Sequence, residues 1–459
     1  MAFIITHSRT LYYLAMILLF VVLAPLVVLY AQGYRLDAHE GRIVQTGVLV
    51  LTSEPSRASV SLNGEKQAEH TTSEINAIRT GTYTVTVAKD GFIPWEKELA
   101  VLPGRSTIAD DIVLFRKDST MEDMLLHDDL VAGTALPGNR FLLTTQEGNT
   151  ANLYYWFTPH EEPILLTTQK GTMAIMDVHE GAQQVLLKFE HDGLVRYAVG
   201  NLAPYAGTNS PPREPLALLP LDTLLPPSPD EIAWDLRDST LLWILKGGTL
   251  SRLDLFTEEL TSIKGTTKNI LANATGLLRV VEEDGTTRIE KNSRDDFQTL
   301  FTINDTGFTL LNEKNKIFTL STARETALYD VPRPDVIRKE VIGGPAQDAV
   351  WQGNRYILLT TTIGIEVYDR TTRARTQLGR FGNSLRDVQW YANNAYVAYM
   401  QNGRATIVEI DQRDKRNGIA LSVPDTTRLL GFSTDEKFAW FLAGTDGVIP
   451  GRFWAVRLR

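Results

Sequence analysis

The chain contains no cysteine. Disulfides, thiolate nucleophiles and cysteine-ligated metals are thereby excluded. Histidine is scarce and one-sided: His7, His39, His70, His127, His160, His179 and His191 all precede residue 192. No His-Glu-x-x-His segment occurs, and no closely spaced His pair stands near a carboxylate, so the zinc-hydrolase signatures are missing. Nucleophile-elbow, P-loop and dinucleotide-binding patterns are missing too, and a Ser-His-Asp triad would have to draw its imidazole from the part before residue 192. Positive charge is in the minority, with 46 Lys and Arg against 55 Asp and Glu, a net charge of -9 and a pI of about 5.4. That balance argues against a nucleic-acid partner, which requires clustered cations. Two small basic clusters, Arg370, Arg373 and Arg375, then Arg413, Lys415 and Arg416, lie beside acidic residues and read as solvated turns. No residue is assigned a catalytic, cofactor-binding or metal-binding role, and the chain reads as non-enzymatic.

What is present is ample globular material. Of 459 residues, 43% are apolar and 22% charged, the composition of a folded protein with more than one domain. Residues 11–31 carry no charge, and 21 residues at 1.5 Å each reach about 30 Å, the thickness of a bilayer core. Pro25 is tolerated in a membrane helix. Tyr12 and Tyr13 at one end, and Tyr30 and Tyr34 at the other, stand where interfacial aromatic belts form. The run exceeds the apolar region of a cleaved signal peptide, and Leu29 stands two residues before Ala31, where a cleavage site needs a small side chain. The expectation is a single-pass signal anchor in the lipid bilayer, with residues 1–34 as tail and anchor. Flanking charges (His7 and Arg9 against Arg35 and Arg42) do not fix the orientation. A cytoplasmic N-terminus and an extracytoplasmic bulk rest on the short tail and on the character of the next segment.

From Gly47 to Phe115 the period changes to two. Val48-Leu49-Val50-Leu51 and Ala58 to Leu62 precede an Asn63-Gly64 hairpin turn; Tyr83 to Val87 follows Gly81; Asp90-Gly91 leads to Phe92, Ile93 and Trp95; further strands lie near Glu98 to Leu102 and Ile108 to Leu114. Ser53-Glu54-Pro55-Ser56-Arg57-Ala58-Ser59-Val60, the stretch Gly81 to Phe92, and Val101-Leu102-Pro103-Gly104 together resemble the PEGA domain family. Thr71-Thr72-Ser73-Glu74 departs from it where the family has a Thr-Pro pair. The resemblance implies a small β-sandwich of bacterial envelope and surface proteins over residues 45–116, with no catalytic residues. Tyr83 and Trp95 are expected as core or edge aromatics.

The rest, residues 117–459, repeats one pattern of short apolar strands separated by polar turns. The clearest copy runs Val388 to Trp390, Ala395 to Met400, Ala405 to Asp411 and Gly418 to Val423. Turn markers at Gly148, Gly193, Gly248, Gly285, Asn315, Gly364, Gly403 and Gly447 recur every ~43 residues, the spacing of WD40-like blades. Ser433-Thr434-Asp435-Glu436-Lys437 before Phe438 resembles the turns of TolB-type propellers. The expected fold is all-β: one transmembrane helix, a small sandwich and a β-propeller of eight blades, or seven if the interval around Asn315 is misread. The last copy is one strand short, and the segment near residues 118–126 is placed to pair with Phe453 to Leu458 and close the ring. The Pro-rich residues 204–229 read as a surface excursion.

Acidic groups such as Glu282-Glu283-Asp284 and Asp295-Asp296 lack calcium-loop spacing and read as turns. The pairs His179-Glu180 and His191-Asp192 read as polar loops. The Ser433-x-Asp435 turn also resembles the structural Asp-box of sialidases. The expected function is that of an envelope-anchored binding or scaffold protein holding a protein or cell-wall glycan partner. The alternative is a propeller-type hydrolase, a glycosidase or lactonase, with carboxylates converging in the central channel.

Overall fold

A computed structural model describes residues 2–37, 41–119, 121–127, 129–156, 162–179, 181, 183–205, 214–293, 296–381, 385–391, 395–443 and 451–459. His39, His160, Glu180, Asp295, Gly447 and residues 206–213 of the Pro-rich stretch lie outside them. The chain divides into two compact units, one of residues 1–119 with Asp411–Gly418 and Arg459, the other of Thr120–Ile410 with Ile419–Leu458.

Helix α1 spans Ala2–Ala31, so residues 2–10, expected as a tail, are helical. Its Tyr12–Ala31 stretch has a mean hydropathy of 2.8 and no buried residue, long and apolar enough to cross a membrane. Eight strands follow in the same unit: β1 Tyr34–Asp37, β2 Arg42–Glu54, β3 Ser59–Leu62, β4 Glu65–His70, β5 Ser73–Arg79, β6 Gly81–Ala88, β7 Trp95–Val101 and β8 Ser106–Val113. They form two four-stranded sheets, one ordered β1-β2-β5 with β8 parallel to β2, the other β4-β3-β6-β7. Alternation along β2, β6 and β7 sends Leu49, Leu51, Val85, Val87, Trp95 and Leu99 into one core, against which Tyr83 packs partly buried. At Asn63-Gly64 both φ angles are positive, as a tight hairpin requires, and the Asn63 side chain accepts the Thr84 amide at 2.8 Å. Lys97 is fully buried in this unit, its ammonium 3.3 Å from the Asp411 carboxylate. The pairing offsets the desolvation of the charge.

The second unit is the propeller. Among the described residues eight four-stranded sheets follow one another, and two of them share a strand: Glu259–Asn273 pairs through its first half with Thr249–Asp254 and through its second with Gly276–Glu283. The first strands of the eight blades are Leu130–Leu136, Thr172–His179, Glu231–Trp234, the second half of Glu259–Asn273, Thr309–Lys314, Ala346–Gln352, Leu385–Tyr391 and Thr427–Phe432. Several of them touch the first strand of the next blade, the eighth touching the first, which places them innermost around a closed ring. Seven carry a register shift where they pair with their second strand. The eighth sheet takes its fourth strand from the other end of the repeats: β9, Met121–His127, pairs antiparallel with Gly451–Arg457, the closure expected from the missing strand.

Asn315 misled the spacing. It belongs with Lys316 to the first turn of blade 5, both at positive φ, whereas the equivalent of the glycine turns is Thr322–Glu325. There the Thr322 hydroxyl accepts the amides of Arg324 and Glu325 at 3.2 and 3.1 Å, so the chain reverses without glycine.

Two seams between blades differ in chemistry. At the seam of blades 8 and 1, Phe141, Trp156, Trp440 and Phe453 are packed ring to ring at centroid distances of 4.7–6.1 Å with Leu130, Leu143 and Leu442 around them. At the seam of blades 3 and 4, Asp235 is 1% exposed and takes hydrogen bonds from Arg237, from Trp243 Nε1 at 3.2 Å and from Asn292 Nδ2 at 3.2 Å. Asn292 in turn accepts the Leu277 amide, and buried Arg279 meets buried Glu290 at 2.7 Å.

Candidate functional site

The hydrolase alternative needs carboxylates converging in the central channel. Several polar side chains of the innermost strands instead hold neighbouring blades together. Asn269 accepts the Leu310 amide at 2.9 Å, Asn312 donates to the Ala349 carbonyl at 3.1 Å, and Trp390 Nε1 donates to the Val350 carbonyl at 3.1 Å. Asp387 takes the Leu429 amide at 3.0 Å and the Arg428 guanidinium at 2.7 Å. Two carboxylates are perturbed upward. Asp177 in blade 2 and Glu231 in blade 3 are open to water, yet the converging strands crowd them. Desolvation therefore outweighs the backbone amides of Val178 and Ile270 that favour their charged forms. Among the described residues no three His, Asp or Glu side chains gather as metal ligands would.

The polar residues singled out in the sequence lie as follows. His179 ends its strand buried and edge-on to Trp234 at 5.6 Å, a core ring and not the polar loop expected. His191 ends its strand and Asp192 lies in the hairpin turn that follows, the two side chains 3.4 Å apart. Glu282 braces three partners, Lys268 and the amides of Gly307 and Phe308, while Asp284-Gly285 makes the turn itself. Ser433 donates to Asp435 at 2.7 Å and accepts the Phe438 amide at 2.9 Å; Lys437 first, and then the Ser433 hydroxyl, hold the Asp435 carboxyl down at about 2. In the first basic cluster Arg373 pairs with Glu340 of blade 5 at 3.2 Å and so ties blade 6 to its neighbour, while Arg370 lies over the Trp351 ring within blade 6. In the second, Arg413 pairs with Asp411 at 2.8 Å.

A site that the sequence does not announce lies between blades 4 and 5. A crevice of about 170 Å³ is floored by Leu278, Leu300, Phe318 and Val331 and walled by Pro332 and Pro334. Three cations line it, Lys291, Lys316 and Arg333, and none of them forms an ion pair among the described residues. The one carboxylate in the lining, Glu313, has each oxygen occupied, one by Asn273 Nδ2 and one by the Lys316 amide, both at 2.8 Å. Pro332 and Pro334 fix φ on either side of Arg333, so the wall is largely pre-formed. An apolar floor with uncompensated positive charge at its rim suits an anionic ligand with an apolar side chain.

Fold and site define a propeller protein that carries, in chain order, an apolar helix and a small β-sandwich ahead of the ring. The sandwich is a PEGA domain: residues 46–110 match that family. Compared with curated proteins, the chain has no match. Among solved structures it is similar to one from a study of two prolyl endopeptidases, at 12% identity over 70% of this chain and 55% of that one, with a TM-score of 0.43. An oligogalacturonate lyase in complex with manganese (12% identity, 72% of this chain, 98% of that one, TM-score 0.41) and Hsv2 of Kluyveromyces lactis (10%, 61% and 94%, 0.36) are also similar. The chain thus spans about half the length of the first. At these scores the activities in those names stay with those proteins.

Proposed function

We propose that the protein is a membrane-anchored, extracytoplasmic binding or scaffold protein, held by α1 and recognising a protein partner through its propeller. The crevice between blades 4 and 5 carries this reading: it offers three unpaired cations over an apolar floor on a chain whose net charge is -9. The partner segment it fits is acidic, with one apolar side chain to fill the floor. The ring's polar groups support binding over chemistry, since Asp387, Asn269 and Asn312 are committed to neighbouring blades. Lys291→Glu with Lys316→Glu and Arg333→Glu should weaken binding of a fluorescent peptide holding one Leu among Asp and Glu by at least about tenfold, and increasingly so at low salt. Equal affinity of the triple variant, or equal binding of a basic peptide, overturns this reading.

The hydrolase reading retains one observation, the raised carboxyls of Asp177 and Glu231 on adjacent innermost strands. A chromogenic glycoside or lactone turned over by the protein, and not by Asp177→Asn or Glu231→Gln, would establish it.

A further inference from the structure

The chain leaves α1 and turns into β-structure almost at once. Gln32 and Gly33 hydrogen-bond back to Val28 and Tyr30 of the last helical turn, and the Gly33 carbonyl then accepts both the amide and the hydroxyl of Thr46, at 2.7 and 2.8 Å. The Thr46 carbonyl takes the Gly104 amide at 2.9 Å. Gly33 is at φ +85°, and a Cβ there would stand 2.5 Å from the Thr46 carbonyl oxygen, so only glycine allows this approach. The helix end is thereby bound to β2 and to the 102–105 turn of the small domain.

Around that junction the surface is apolar where a soluble domain would be polar. Leu36 in β1 and Ile43 in β2 stand directly opposite each other and are 74% and 62% exposed. Leu102, in the turn that touches the helix end, is 47% exposed. Arginines flank all three: Arg35 beside Leu36, Arg42 beside Ile43, and Arg105 in the same turn as Leu102. Arg35 lies over the Tyr30 ring at 3.6 Å and donates to the Tyr30 carbonyl, while Gln45 donates to the Tyr34 hydroxyl at 2.7 Å. Apolar side chains, tyrosines and arginines within a few residues of a membrane exit match the chemistry of the headgroup layer.

We infer that the β1–β2 hairpin and the Leu102 turn form a collar seated in the bilayer leaflet, with Leu36, Ile43 and Leu102 in the upper acyl region and Arg35, Arg42 and Arg105 at anionic phospholipid headgroups. This rests on α1 being a membrane anchor. The occupant is lipid because the apolar patch is continuous with the spanning helix. Only Gln32 and Gly33 separate helix from hairpin, and the four residues of β1 extend about 13 Å, little more than the headgroup layer is thick. The collar would hold the small domain upright on the membrane and fix the height at which it stands.

The absence of cysteine makes the test direct. Single variants Leu36→Cys, Ile43→Cys and Leu102→Cys, with Leu19→Cys in mid-helix and Glu65→Cys on exposed β4 as references, are labelled with an environment-sensitive fluorophore in the full chain. The chain is reconstituted in vesicles of phosphatidylcholine and phosphatidylglycerol carrying nitroxides at shallow or deep positions. Labels at positions 36, 43 and 102 should shift to the blue and be quenched by the shallow nitroxide at least about threefold more than the label at 65, and less strongly when phosphatidylglycerol is omitted. Deep quenching at 19 with labels at 36 and 43 behaving like 65 overturns the collar and leaves the anchor standing. No quenching at 19 overturns the anchor and the collar together.

Discussion

The seams at opposite stages of the ring solve one problem with opposite chemistry. Blades 8 and 1 meet through four aromatic rings and aliphatic side chains, whereas blades 3 and 4 meet around a buried carboxylate, Asp235, with Arg237, Trp243 and Asn292 on it. The difference follows from how the chain crosses each seam. Between blades 3 and 4 the single Glu259–Asn273 strand passes from one sheet into the other, so the junction is covalent and tolerates polar groups as long as each is satisfied. Between blades 8 and 1 no strand is shared between the sheets, and β9 must find its place beside Gly451–Arg457 by pairing alone. There the adhesion comes from apolar area, about 25 cal/mol per Å² buried, with no dependence on salt or protonation.

Removing the closing strand should break this comparison most severely. A chain starting after residue 128 leaves Gly451–Arg457 as an open edge and should unfold at a markedly lower Tm than one starting after residue 116, a loss on the order of 4 kcal/mol or more. Equal melting of the two would mean β9 adds nothing. Next in size, Phe453→Ala, which removes the ring at the centre of the aromatic cluster, should cost about 3–5 kcal/mol in denaturant midpoints, unchanged by salt.

Asp235→Ala is expected to cost about 2–4 kcal/mol by stranding Arg237, Trp243 Nε1 and Asn292. Its signature is pH. Burial works to raise the Asp235 pKa, but the hydrogen bonds and charge of Arg237 and the Trp243 donor overcome it and leave the carboxyl below its usual range. Its stability is therefore fully present above the unfolded value near 3.9 and is lost as pH falls through the folded value; the wild type should lose stability below about pH 4 more steeply than Asp235→Ala. Parallel acid curves would refute the assignment. Asp435→Ala in blade 8 should do least, under about 1 kcal/mol, because its side chain is half exposed and its charged partner, Lys437, is solvated.

Which features the sequence revealed depends on whether the signal is local. The apolar helix, the period-two strands of the small domain and the Asp/Asn-Gly turns each lie within a few consecutive residues. The closing strand was legible from a deficit, three strands in the last copy where four were needed. Blade 5 was misplaced because Thr322 does with its hydroxyl what glycine does elsewhere. Strands β4 and β5 escaped notice because Glu65–His70 and Ser73–Arg79 are mostly exposed and show no clear alternation. The crevice could not be foreseen, since Lys291, Lys316 and Arg333 come from two strands and a turn that only the packing of blade 4 on blade 5 assembles. Leu36 and Ile43 were equally silent, because nothing in so short a hairpin marks which apolar side chains stay exposed.

Closure by β9 also sets a clock on biosynthesis. The partner of His127 is Gly451 and that of Met121 is Val456, so more than 300 residues separate the two halves of the last sheet. At roughly 5–20 residues per second, β9 waits on the order of half a minute before its partner strand exists. Through that interval the nascent ring has an unsealed gap, and a chaperone that shields a strand of seven residues next to the small domain is the help it would need most.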